Sequence, residues 1–197
     1  MKKIILASNN SGKIRELQNA FSQFQIIPQS ELNVSEIPET GFTFVENALL
    51  KARHACEITG LPAISDDSGL EVAALHGKPG IYSARFAGTD ANAQKNIQKL
   101  LADLEGVPDE KRKARFYCVL VFLAHADDST PLICEGTWNG TILTHPIGKN
   151  GFGYDPVFFD ANENCSAAQL SLQKKRILSH RGKALELLIE KLPEKLL

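Results

Sequence analysis

Residues Phe116 to Ala124 carry no charge, and aromatic and β-branched side chains are in the majority. A strand without a polar face is stable only where both faces are covered. The run therefore predicts a central, buried strand. The 197-residue length predicts one domain over 1–197 with room for a small second lobe, since domains take roughly 100–200 residues. A chain of this size buries about 70% of its unfolded surface and needs no cross-links to fold.

Other elements arrange themselves around that strand. Ile4 to Ala7 reads as a short buried strand, and Ile14, Leu17, Phe21 and Phe24 then recur at helical spacing. Phe44, Ala48, Ala52 and Ala55 mark a second helix. Thr43 with Glu46 predicts a capping box at its start, and Gly60 with Pro62 a stop. Ala63 to Ser65 is a strand candidate, and Ile97, Leu100, Leu101 and Leu104 mark a third helix. Two short strands are predicted near Leu132–Cys134 and Thr141–Leu143, with Gly136 and Gly140 between them. The last helix starts near Ser179 and buries Leu185, Leu188, Ile189 and Leu192. Alternation early and strands clustered in the middle predict an α/β fold with a mixed β-sheet and flanking helices.

Composition narrows the function classes. At 43% hydrophobic and 23% charged residues, disorder is excluded. A net charge of −1 argues against a nucleic-acid polymer as partner, which calls for a basic face. It leaves open one small anionic ligand held by local lysines and arginines. The four cysteines, Cys56, Cys118, Cys134 and Cys165, are widely spaced, which predicts free thiols and no zinc site. The first apolar run ends at Ser8 and no run approaches the roughly 20 residues that span a bilayer. The expectation is a soluble, cytoplasmic protein without a membrane partner.

Five segments carry candidate chemistry. Ser8, Asn9, Asn10, Ser11, Gly12 and Lys13 join a strand to a helix, where free N–H groups and a lysine suit a phosphate. The same residues also fit a plain turn with Ser or Asn as N-cap. Asp66 and Asp67 precede Ser68 and Gly69. Paired carboxylates call for a cation such as Mg²⁺, and strand alternation turns only one of them toward it. Read alone, this run favours a turn closed by the Asp side chains. Glu39 precedes Gly41 in a loop that could reach a metal, whereas Glu46 has its capping role. Lys51 could face the same site or solvent. Gly151, Phe152, Gly153, Tyr154 and Asp155 make an irregular aromatic loop that could stack on a base, or a turn with core aromatics. Lys174, Lys175, His180 and Arg181 gather cations around the start of the last helix, against its dipole, which a bound anion would offset.

Taken in order, these segments and Pro79-Gly80-Ile81-Tyr82-Ser83-Ala84-Arg85 resemble the inosine/xanthosine triphosphate pyrophosphatase family, whose bacterial members are dITP/XTP diphosphatases. The likeness runs from Lys3 to the last helix. Asn9 stands where the family commonly has Gly, and Ser8 keeps the hydroxyl of a frequent Thr. The resemblance implies an elongated mixed sheet in two lobes around a central cleft, and a homodimer. It implies Mg²⁺-dependent hydrolysis of ITP, dITP and XTP to monophosphate and pyrophosphate. Carried over residue by residue, Asp67 is the catalytic base and, with Glu39, a metal ligand. Glu46 has weaker support as a further one. Ser8 to Lys13, Ser68, Phe152, Gly153, Tyr154, Asp155, Lys175, His180 and Arg181 match substrate-binding positions.

Overall fold

The computed structural model describes residues 2–21 and 23–196. Strands β1 (Lys3–Ala7), β2 (Gln25–Pro28), β3 (Ala63–Val72), β4 (Lys113–Leu123), β5 (Leu132–Ile142), β6 (Phe158–Asp160) and β7 (Cys165–Ser166) form one seven-stranded sheet. The order is β2-β1-β3-β4-β5-β6-β7. β1 is parallel to β2 and to β3, whereas β5–β6 and β6–β7 are antiparallel, so the sheet is mixed as expected. The helices are α1 (Ser11–Ala20), α2 (Phe44–Thr59), α3 (Ala93–Asp103), α4 (Leu172–Leu178) and α5 (His180–Lys195).

The chain divides into two compact units, and the division falls inside β3, β4, β5 and α5. Unit 1 comprises 1–67, 118–136 and 183–197. Its core joins Ile4 and Leu6 of β1, Leu17 of α1, Ile64, Leu120, Phe122 and the Leu185–Leu188–Leu192 stripe of α5. Unit 2 comprises 68–117 and 137–182. Its core joins Leu70, Val72, Ile97, Leu100, Phe116, Trp138, Tyr154 and Phe158. The predicted central strand is fully buried from Cys118 to Leu123, as β4.

Three expectations need correction. Asp66 to Gly69 is not a turn, because β3 runs straight through it to Val72. Tertiary partners, described below, take the polar side chains that a turn would have used. The pair of short strands at 132–143 is one strand, β5. Gly140 does not mark a turn: a Cβ there would lie 2.4 Å from the Phe159 carbonyl oxygen and 2.6 Å from the Phe158 ring. The residue is small so that β6 can pair with β5. The first helix also stops sooner than its apolar spacing suggests, with Phe21 as its C-cap and Phe24 beyond it.

Unit 1 holds its last helix by one buried carboxylate. Asp128 accepts from the Ala124 amide at 3.0 Å, the Thr130 amide at 2.9 Å and Lys195 Nζ at 2.9 Å. Burial alone would raise this carboxyl, but those bonds outweigh it and hold it down to about 2. A carboxyl lowered by folding stabilises the fold above its unfolded value and loses that effect as pH falls toward the folded one. The shift is worth about 2 kcal/mol at neutral pH, lost progressively between about pH 5 and 1. Asp128→Asn should therefore melt roughly 4–8 °C below the parent at pH 7. The gap should close as melts are repeated toward pH 2. A gap that does not change with pH contradicts this account.

Candidate active site

In unit 1 the site begins where β1 hands over to α1. Asn10 is the N-cap: its Oδ1 accepts from the Gly12 amide at 3.0 Å and the Lys13 amide at 3.1 Å. The Asn10 amide in turn donates to Ser8 Oγ at 3.2 Å. Asn9 turns away and donates through Nδ2 to Glu36 Oε1 at 2.7 Å. The capping role foreseen for this segment is thus realised, and two of the amides offered to an anion already have a partner. Ser11 is exposed at the first helical position. Lys13, one turn in, is what the loop projects.

Lys13 Nζ lies 2.5 Å from Asp66 Oδ1 and 3.2 Å from the Asp66 carbonyl oxygen. Lys51 Nζ reaches the same carbonyl at 3.0 Å, Asp67 Oδ1 at 2.8 Å and Glu39 Oε1 at 2.8 Å. Two neighbouring carboxylates on β3 are thereby taken by two different lysines, as alternation along a strand requires. Ser65, also on β3, donates to the Ala48 carbonyl at 2.6 Å and ties the strand to α2. Burial pushes the Asp67 carboxyl up, against the pull of Lys51 and Lys13, and Glu39 adds to the rise. Burial pulls the Lys51 ammonium down, but Asp67 and Glu39 together outweigh it and the net direction is upward.

Glu39 is held by the loop that follows it. The Gly41 amide donates to Asn47 Oδ1 at 2.8 Å, and a Cβ on Gly41 would lie 2.6 Å from Glu46 Cβ. Glu46 itself closes the capping box of α2. Its Oε2 accepts from the Phe42 amide, the Thr43 amide and Thr43 Oγ1 at 2.7, 2.9 and 3.0 Å. The Thr43 hydroxyl and the Phe42 amide lower its carboxyl. With these bonds in place Glu46 serves the helix, as its spacing from Thr43 foretold.

Among the described residues, no group of three or more His, Cys, Asp or Glu side chains is arranged to hold a metal ion. The carboxylates instead close around ammonium groups. One oxygen stands apart: Asp67 Oδ2 is buried and makes no hydrogen bond to the described residues. A hard cation content with one or two protein oxygens fits such a donor set, and Mg²⁺ is of that kind.

Unit 2 gathers the remaining candidates. Asp155 is buried, and its Oδ2 accepts from the Phe152 amide at 2.7 Å and Lys175 Nζ at 2.5 Å. It fixes the loop and gives Lys175 a counter-charge. Gly151 sits at φ +75°, and a Cβ there would lie 2.0 Å from Asp155 Oδ2, so glycine is required on both counts. Gly153, at φ +61°, makes the second left-handed step of the loop. Tyr154 is core: its hydroxyl donates to the Ser83 carbonyl at 2.8 Å, and burial pushes its pKa above the ordinary tyrosine range. Phe152 remains half-buried, with Lys175 Nζ 4.8 Å and Arg181 Cζ 5.6 Å from its ring centre. A ring flanked by cations is a surface for planar, electron-rich groups.

Arg181 is buried and donates to Ser68 Oγ at 3.0 Å. His180, also buried, stacks on Phe116 with centroids 4.7 Å and planes 13° apart. Both open α5, which follows α4 after the single residue Ser179. Ser179 Oγ accepts from the Gly182 amide at 3.0 Å, capping the new helix.

The sequence left Lys51 between the site and solvent, and the structure places it at Glu39 and Asp67; Asn47, Ser83 and the ring of Phe116 were not singled out for the site. Asn47 and Lys51 are four apart on α2, beside its buried stripe, and that spacing was the available signal. Ser83 accepts from the Leu70 amide at 2.8 Å, donates to the Gly80 carbonyl at 2.6 Å and receives Tyr154. It joins β3 to the aromatic loop and accounts for one polar residue in the Pro79–Arg85 motif.

Among the described residues no helix is long and apolar enough to cross a membrane. Residues 4–191 match the Ham1 family. A dITP/XTP pyrophosphatase of Vibrio parahaemolyticus is 58% identical, covering 98% of this chain and 97% of that protein. One from Escherichia coli O157:H7 is 57% identical over 98% of each chain. Among solved structures, a HAM1 protein from Coxiella burnetii is 49% identical, covers 98% of this chain and 100% of its own, and superposes with a TM-score of 0.92. A nucleoside-triphosphatase, dITP/XTP pyrophosphatase, from Mycobacterium abscessus is 40% identical over 94% and 98% of the two chains, with a TM-score of 0.77. Likeness of this extent, over nearly the whole of each chain, means that the chain belongs to the Ham1 family.

Proposed function

We propose that this chain hydrolyses the non-canonical purine nucleotides dITP, ITP and XTP to the monophosphate and pyrophosphate, and so removes deaminated purines from the nucleotide pool. The observation that carries the reading is the buried Asp67 carboxylate with one oxygen on Lys51 and the other without a hydrogen-bond partner among the described residues. A carboxylate so placed can take a proton from a water attacking the α-phosphorus. The water oxygen bonds to phosphorus, the bond to the β,γ-pyrophosphate breaks, and the proton passes to Asp67. Lys13 offers an N–H to the phosphate oxygens as charge builds on them. Glu39 and Asp67 would hold Mg²⁺, which when bound neutralises phosphate charge and orients the chain of phosphates.

Recognition of the base is assigned to the aromatic loop and the start of α5. Phe152 supplies a flat face, and Lys175, His180 and Arg181 supply donors. Hypoxanthine and xanthine present a carbonyl acceptor at position 6, whereas adenine presents a donor. Donors set for an acceptor leave adenine unpaired, and a mismatch of that kind is rejected by large factors. In the same reading the enzyme is a homodimer of the cytoplasm, for which light scattering and fractionation are the checks.

The assay is direct. With dITP and Mg²⁺ the products should be dIMP and pyrophosphate. Diphosphate with free phosphate, or no turnover, refutes the reading. A panel of dITP, XTP, dUTP and dGTP should place the two 6-oxo purines without a 2-amino group first.

A further inference from the structure

We propose that Asp66 is a positioning residue: it aims the Lys13 ammonium at the phosphates and takes no part in holding a metal ion. This deepens the reading just given, on which it rests for the presence of phosphate at Lys13.

The argument is a count of donors. An ammonium has three N–H groups. Lys51 directs its three at Glu39 Oε1, Asp67 Oδ1 and the Asp66 carbonyl, at 2.8, 2.8 and 3.0 Å, and is saturated. Lys13 uses two, on Asp66 Oδ1 at 2.5 Å and on the Asp66 carbonyl at 3.2 Å. Its third has no partner among the described residues. Of the two lysines, Lys13 is therefore the one with a donor to give an anion, and Lys51 is the one that braces the carboxylates.

Both bonds that orient Lys13 come from one residue. The carboxylate and the carbonyl of Asp66 hold the ammonium at two points, which stops it turning and sets where the third N–H is aimed. A lysine side chain otherwise loses much rotamer freedom on meeting its ligand, and orienting it in advance removes that loss. The Asp66 side chain is fully buried at 0% exposure, while Lys13 keeps 15%. An ion approaching from solvent would meet Lys13 before it met Asp66. The other carboxylate oxygen, Oδ2, faces Cys118 Sγ at 3.6 Å in the interior.

A double-mutant cycle separates positioning from independent action. The full-length chain is compared as parent, K13M, D66N and K13M/D66N. Two readouts are used: calorimetric affinity for inorganic pyrophosphate without metal, and kcat/KM for dITP with Mg²⁺. K13M and D66N should each weaken pyrophosphate binding by about tenfold or more, and each should lower kcat/KM by about 100-fold. In the K13M background D66N should change either readout by less than about threefold. Equal losses in both backgrounds, or unchanged pyrophosphate affinity in D66N, would overturn the proposal. If D66N alone does not fold, K13M against K13M/D66N decides, since the double variant leaves no uncompensated ammonium; a further loss beyond threefold refutes positioning. A cycle that behaves as expected for pyrophosphate in a protein that leaves dITP intact would uphold Asp66 and refute the substrate.

Discussion

Asp67→Asn should lower kcat for dITP by about 1,000-fold, the scale of a missing general base, while leaving the fold at least as stable. The two halves of this expectation come from the same observation. Asn has the shape of Asp, so Lys51 keeps an oxygen to donate to and keeps Glu39 as counter-charge. The carboxyl of Asp67 is raised by folding, chiefly through burial. A carboxyl whose folded value exceeds its unfolded one opposes folding once pH is above both, so removing its charge at pH 7 does not weaken the protein. Activity and stability should part company: turnover is lost, and the melting temperature is unchanged or higher. Such a split marks a group kept for chemistry rather than for the fold. Circular dichroism melts beside product analysis give the test. More than a tenth of parental kcat in the variant would rule Asp67 out as the base.

The second large effect is on stability and falls at a glycine. A Cβ on Gly182 would lie 1.6 Å from the Arg176 carbonyl oxygen and 2.7 Å from its carbon. Both are backbone atoms that no rotamer change can move. The crowding arises because α4 and α5 are joined by Ser179 alone, so the last turn of one abuts the first turn of the other. Gly182→Ala must open that junction, at a cost of about 3 kcal/mol and roughly 6–12 °C in melting temperature. His180 and Arg181 immediately precede the glycine, so turnover should fall with it. Thermal melts of the single variant decide, and a loss under about 2 °C would mean that the junction yields freely.

What could be read in advance was what local chemistry determines. α2 runs from Phe44 to Thr59 between a capping box and a left-handed Gly60, as its residues foretold. The box also accounts for the side chain of Glu46, whose Oε2 accepts from three local donors. β3 was misread past Ser65 because Asp-Asp-Ser-Gly forms a turn when its side chains have only their own backbone to bond. Lys13, Lys51 and Arg181 lie 53, 16 and 113 positions from their partners in that run, and no local pattern announces them. Gly140 misled for a related reason. Its lack of a side chain answers to β6, which the chain reaches much later. Asp155 shows the intermediate case: its bond to the Phe152 amide is a local feature, but its ion pair with Lys175 spans twenty positions. Short elements such as β2 and α4 carry too few periods of either pattern to stand out.

The stacking of His180 on Phe116 reaches further than the geometry of one imidazole. Phe116 is 6.2 Å from Trp138, whose indole is buried and donates to Asp160 Oδ2 at 2.7 Å. Trp138 is the only tryptophan in the sequence. All indole emission from this protein therefore originates one ring away from a residue assigned to the base. The chain carries its own optical probe: on the proposed function, adding nucleotide without metal should change the Trp138 emission of the unlabelled protein.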